Sequence, residues 1–394
     1  MKNYNKTIYA CFTGYIVQAI VNNFIPLLFL TIQKEYDISL SKITMLITIN
    51  FAVQLGVDLL SVAFVDKIGY RAAAVLAHSM AALGFVLLTI LPEVFEYSYL
   101  GFLIAVICYA VGGGILEVII SPMVEACPTK NKEKAMSLLH SFYCWGHVGV
   151  VFISTVFFFF VGIEHWKVLA LVWALIPLTN AIAFLKVPIA SLLSEDEEKL
   201  PLKSLISKHT FWIFMLLMFC AGACEQAVSQ WASTFAEKGL GVSKAIGDLA
   251  GPMLFAILMG ASRVFYGKYG EKIDLEKFMF YSTLLCIGSY LLISLTPYPV
   301  LGLLGCGICG MSVGIMWPGT FSMASASIRT GGTAMFALLA LAGDMGCSGG
   351  PTFVGMISSR YGDDLKKGVL FALIFPMLLI VGLYLCKRRK MQPL

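Results

Sequence analysis

Charge is scarce in this sequence: Lys, Arg, Asp and Glu make up 13% of its 394 residues, against about 25% in an ordinary soluble domain. A soluble chain of this length needs a charged skin, and these residues are too few to make one. Long polar stretches are missing too; the longest runs from Ser191 to Lys208. No phosphate-binding glycine loop, nucleophile elbow or metalloprotease helix occurs. No enzyme activity and no cofactor is therefore expected. A secretory leader is also absent from the reading. Lys2 and Lys6 precede an apolar stretch of roughly 24 residues, too long for a leader core and without a small-x-small cleavage site. It reads as a first membrane helix.

What the chain has is apolar length. Hydrophobic residues reach 59% and the mean hydropathy is +0.84, so the lipid bilayer is the expected solvent. The net charge of +5 does not imply a nucleic-acid partner, because the cations sit in short clusters between apolar runs. Eleven cysteines are scattered, most within apolar helices, where a thiol is usually a small hydrophobe. The Cys306-x-x-Cys309 pair lies in a glycine-rich apolar run and is not read as a redox or metal motif.

A spanning helix takes about 20 apolar residues. Twelve such runs are predicted, at 7–30, 42–65, 72–92, 98–123, 135–161, 166–188, 210–235, 245–267, 276–297, 299–325, 333–357 and 367–386. The fold class is therefore an all-α membrane protein with two six-helix, pseudo-symmetric bundles. The expected domains are 1–190 and 209–394, joined by a linker at 191–208 that includes the acidic run Ser194 to Lys199. Lysine and arginine placement puts the linker, Lys67, Arg71, Lys130, Lys132, Lys134, Lys268, Lys272 and the tail Lys387-Arg388-Arg389-Lys390 on the inner side. Both termini of this multi-pass cell-membrane protein are then cytoplasmic.

The two halves resemble each other. A shift of 205 places Asp66-Lys67-Ile68 on Glu271-Lys272-Ile273, Asp58 on Arg263 and Pro92 on Pro297. A shift of 196 places Gly114 on Gly310 and Pro122 on Pro318. Repeated halves around a midplane site are a common transporter plan.

Four patches carry a family likeness. Asp66-Lys67-Ile68-Gly69-Tyr70-Arg71 resembles the D-R-x-G-R-R loop motif of the major facilitator superfamily, with Val62 in place of its first glycine. Gly314-Ile315-Met316-Trp317-Pro318-Gly319-Thr320-Phe321-Ser322 is similar to the tenth helix of the fucose and glucose/galactose permeases. So are Gly222-Ala223-Cys224-Glu225, with Trp231 beyond, in the seventh helix, and Glu117 followed by Ser121-Pro122 in the fourth. The resemblance implies a central cavity lined by helices 1, 4, 7 and 10. It also implies proton-coupled uptake of a small polar solute, a monosaccharide first among them, by alternating access.

An ionised carboxylate at a helix centre costs about 2.5–3.5 kcal/mol on insertion scales, so buried carboxylates are expected to face a cavity or a partner. Glu117, Glu225 and Asp344 are candidates for proton coupling, with His147 as relay; a structural hydrogen bond between helices is the other reading of each. Gln18, Asn22, Asn23 and Gln226 could bind hydroxyls, since amides both donate and accept; Glu117 and Glu225 could do the same. Trp231 and Trp317 could stack on a sugar ring. Asp58, Asp66, Arg71, Arg263 and Glu271, near inner helix ends, are gating candidates. His140, Cys144 and His147 share a helix face, but seven residues span about 10.5 Å, too far for one ion, and no metal is expected. The expected partners are a small molecule and a coupling ion, the proton or else sodium, and the protein is expected to be a monomer. An exporter of drugs or metabolites is the alternative, and a non-transporting sensor a remote one.

Overall fold

The structure, a computed structural model, describes residues 3–191, 200–232, 244–362 and 364–390. The acidic run of the expected linker, Lys2 and Lys238 lie outside the described residues. Twelve long helical passes are present among the described residues. The first is α1 (Asn5–Asn23), continued through a 3₁₀ turn at Pro26 into α2 (Phe29–Tyr36). Then follow α3 (Leu40–Ile68), α4 (Tyr70–Val94), α5 (Ser98–Ala126), α6 (Lys132–Val161) and α7 (Trp166–Lys186). A short α8 (Leu202–Ile206) precedes α9 (His209–Ser229), α10 (Lys244–Tyr269) and α11 (Leu275–Leu295). The tenth pass is broken into α12 (Pro299–Val313) and α13 (Met316–Ser327). The chain ends with α14 (Gly332–Arg360) and a twelfth pass made of α15 (Leu365–Phe371) and α16 (Ile374–Lys390).

Ten passes are long and apolar enough to cross a bilayer on those two criteria alone. The other two are α10, which carries Arg263, and the glycine-rich α14, which carries Asp344. Interior polar groups and glycines lower hydropathy without shortening a helix.

The chain divides into two compact units: Met1–Pro128 with Phe142–Ser194, and Thr129–Ser141 with Glu195–Leu394. In the first unit α5 packs on α1, α3 and α4, while α7 packs on α1 and α4. In the second, the broken tenth pass packs on α9, α10 and α11, while α16 packs on α9 and α11. These five pairings correspond between the two units, as in a duplicated six-helix design.

With lipid outside, helix association depends on close packing and interhelical hydrogen bonds. Gly112, Gly113 and Gly114 serve the first requirement. A Cβ on Gly112 would lie 2.5 Å from Ala77 O of α4; on Gly113, 3.0 Å from Val21 of α1; on Gly114, 2.9 Å from Val57 of α3. Three consecutive glycines therefore fit α5 against three different helices.

His78 serves the second. Its Nε2 lies 2.7 Å from Asn180 Nδ2, which can only donate, so Nε2 accepts and Nδ1–H donates to Ala74 O at 2.7 Å. Asn180 also donates to Ala10 O at 3.0 Å. The pair fastens α1, α4 and α7. Asn180→Leu removes both donations and leaves buried acceptors behind. It is expected to cost about 1–3 kcal/mol, read as a lowered melting temperature in detergent; an unchanged melting temperature would count against this role.

Candidate functional site

Polar side chains collect in the interior of the first unit. Asn22 Oδ1 accepts from Asn50 Nδ2 at 3.0 Å and from Gln54 Nε2 at 2.8 Å. Gln18 Nε2 donates to Gln54 Oε1 at 2.9 Å and to Glu117 Oε2 at 3.0 Å. Asn22 Nδ2 reaches Tyr143 OH at 3.5 Å, and Tyr15 OH pairs with Ser121 Oγ at 2.9 Å. The positions follow from helix geometry: residues four apart share a face, which aligns Gln18 with Asn22 on α1 and Asn50 with Gln54 on α3. Glu117 joins from α5, one turn before Ser121-Pro122. Two buried acceptors in this row, Gln18 Oε1 and Asn50 Oδ1, have no donor among the described residues.

The second unit has a charged centre instead. Arg263 of α10 is 3% exposed and its guanidinium meets Glu225 Oε2 of α9 at 3.4 Å. It also donates to Gly314 O at 2.8 Å and His140 O at 3.0 Å. Gln226 Nε2 lies 3.4 Å from Glu225 Oε1. A crevice of about 650 Å³ elsewhere in this unit is lined by Gln230, Trp231, Pro351, Met356 and Arg360, among others.

Gln18, Asn22 and Glu117 thus come together in one network, and Glu225, Gln226 and Arg263 in another. Other expected site residues are placed differently. Asn23 donates to Ala19 O of its own helix at 2.8 Å. Trp317 is buried, with its ring on Gly343 of α14. Trp231 donates to Pro351 O at 3.3 Å on the edge of the crevice. Asp344 and His147 are half-buried, and Asp58 is fully buried. Asp66 is exposed at the end of α3. Arg71 donates to the carbonyls of Phe184 and Val187 at 2.6 and 2.8 Å, capping the end of α7 with a cation where the helix dipole favours one. Glu271 pairs with Lys134 at 2.9 Å, and that hydrogen bond, with the ammonium charge, holds its carboxyl below the usual range. Asn50, Gln54, Tyr15 and Tyr143 were not expected. The four-residue spacing of Asn50 and Gln54 was the available signal, the same one that singled out Gln18 and Asn22.

Among the described residues no three His, Cys, Asp or Glu side chains converge as a metal site. Comparison with curated proteins gives no match. Solved structures share the fold at low identity. The E. coli fucose:proton symporter is 15% identical with a TM-score of 0.80, over 98% of this chain and 99% of its own. A proton:xylose symporter bound to 6-bromo-6-deoxy-D-glucose is 11% identical with a TM-score of 0.81, over 98% and 95%. The human organic anion transporter MFSD10 is 14% identical with a TM-score of 0.72, over 98% and 100%. Transporters of different solutes thus share this architecture. Residues 10–351 match the Major Facilitator Superfamily, and with twelve passes in two repeated units the chain belongs to that family: it is a multi-pass membrane transporter, not an enzyme.

Proposed function

We propose that this transporter takes up a small hydroxyl-rich solute, a monosaccharide, with a proton, by alternating access of its two bundles (1–190 and 209–394, joined by 191–208). The observation that supports the reading is the amide–carboxylate row in the first unit. Its unmatched groups, Gln18 Oε1 and Asn50 Oδ1, are both acceptors, and a hydroxyl is an uncharged group that can donate to them while accepting from amides. An anionic solute would bring acceptors to acceptors. Glu117 is the one acid in this row, so it is the proposed coupling group, taking a proton from one side and giving it to the other. Glu225 is a second acid, held beside Arg263. Both termini lie on the cytoplasmic side and the working unit is a monomer.

The test is uptake into liposomes of purified protein, with a panel of labelled monosaccharides and an inward proton gradient. Accumulation of one sugar that collapses with a protonophore supports the proposal. Accumulation driven by a sodium gradient instead would reassign the ion. No uptake of any sugar by folded protein would overturn the solute and leave an exporter of drugs or metabolites as the reading to test.

A further inference from the structure

The break between α12 and α13 has a chemical cause. Pro318 has no N–H, so the carbonyl four residues earlier, that of Gly314, cannot receive its helical hydrogen bond. At membrane depth there is no free supply of water to replace it, and freed backbone groups must find donors in the protein. Here the donor is a side chain from another helix, Nε of Arg263, at 2.8 Å. The approach depends on Gly314 lacking a side chain, since a Cβ there would lie 2.8 Å from Met259 O and 3.0 Å from Ser262 of α10.

The same guanidinium is divided among other acceptors. One terminal nitrogen donates to His140 O at 3.0 Å, and the other faces Glu225 Oε2 at the longer distance of 3.4 Å. Ser137 Oγ donates to the backbone carbonyl of Arg263 at 2.8 Å. A planar fork of five N–H donors can serve carbonyls and a carboxylate at once, which a lysine ammonium cannot match in geometry.

We propose that Arg263 is the substitute amide donor of the tenth pass and a positioning residue for transport: its division between Gly314 O and the Glu225 carboxylate makes the break respond to the charge on Glu225. With Glu225 ionised, the guanidinium is drawn toward α9. With Glu225 neutral, it rests on the Gly314 and His140 carbonyls and firms the break. The inference needs only the family and this geometry, and it stands whether or not the solute is a sugar.

Other titratable groups surround the pair. His140 lies on α6, while Tyr290 of α11 and Cys309 of α12 both bond the Cys224 carbonyl beside Glu225. Asp344 lies on α14, next to Gly343, whose carbonyl meets Gly222 of α9. A bare pH titration would move several of these, so the charge on Glu225 is better changed by substitution.

The experiment is hydrogen–deuterium exchange by mass spectrometry on full-length protein in detergent, following peptides that cover residues 313–321. Glu225→Gln is expected to slow exchange there. Arg263→Gln is expected to speed it on the order of tenfold or more, as loss of a hydrogen bond from a charged donor implies. Arg263→Lys, which keeps the charge without the fork, should recover little of the protection. Pro318→Ala returns an N–H to Gly314 O, so the double variant Arg263→Gln/Pro318→Ala should regain protection near the wild-type level. If Arg263→Gln does not fold alone, folding of that double variant is itself the expected rescue. An arginine that merely fills space would not be replaced by a backbone amide 55 residues away in sequence. Unchanged exchange at the break in both Arg263→Gln and Glu225→Gln would overturn the proposal, and so would a Pro318→Ala change that brings no recovery.

Discussion

Glu117→Gln is expected to abolish proton-driven accumulation while leaving exchange of the solute across the membrane intact. The side chains are nearly the same size, and a glutamine oxygen can still accept from Gln18 Nε2, which lies 3.0 Å from Glu117 Oε2 in the native protein. The network therefore survives, and with it the proposed solute site. What disappears is a group that can exist with or without a proton. One pH unit is worth about 1.4 kcal/mol, a factor of about ten. A one-to-one symporter under that gradient concentrates its solute about tenfold, and the variant should level near a ratio of about one. Counterflow, which needs no net proton movement, should continue at a comparable rate. A variant that still accumulates solute tenfold would move the coupling proton to another acid, with Glu225 the next to test.

The second large effect belongs to Gly346. A Cβ there would stand 2.0 Å from Phe219 O and 2.9 Å from Ala223 N, both backbone atoms of α9. On the same seam, a Cβ at Gly350 would lie 2.6 Å from Ala223 O, and one at Gly222 2.1 Å from Gly343 O. A flexible side chain could rotate out of the way, but a helix backbone cannot. Gly346→Ala must push α9 and α14 apart, which also disturbs the bed of Trp317 on Gly343. Overpacking typically costs about 1–3 kcal/mol, occasionally more, and this case belongs at the top of that range. Gly349→Ala is the matched control: its nearest foreign atom is a ring carbon of Phe219 at 3.6 Å, and replacing helical glycine by alanine gains up to about 1 kcal/mol. Melting temperatures in detergent should fall for the first variant and hold or rise for the second. Similar values for both would show that the seam has more slack than these distances allow.

The arrangement of the helices was legible because bilayer physics writes it into composition. Apolar runs of spanning length, charged breaks and paired offsets are one-dimensional signals. The break in the tenth pass lies just before Pro318, a residue that weakens a helix, and Glu117 and Glu225 stood out as acids within apolar helices. Partnership was not legible. Nothing local in Arg263 says that it will find a carbonyl on the tenth pass and a carboxylate on the seventh. Asn50 and Gln54 look like any amides in a membrane helix until α1 is beside them. Trp317 invited a stacking role by its type, and only the placement of Gly343 shows what its ring covers. The hydropathy of α10 and α14 dilutes the spanning signal for a related reason: Arg263 on the one and Gly346 and Gly350 on the other face neighbouring helices, and a linear average cannot see direction.

The row of amides in the first unit has a polarity. Asn50 and Gln54 both donate to Asn22, Gln18 donates to Gln54, and Gln18 donates again to Glu117. Every amide in the row can turn over, exchanging its donor and acceptor ends. In the proposed cycle a protonated Glu117 becomes a donor, and Gln18 Oε1, now without one, is the nearest amide oxygen on its neighbour. Turning Gln18 to meet it asks Gln54 to turn in step, and then Asn22 and Asn50. The row then works as a line of switches with two settings, in which a single proton at one end changes what the whole surface offers to a solute.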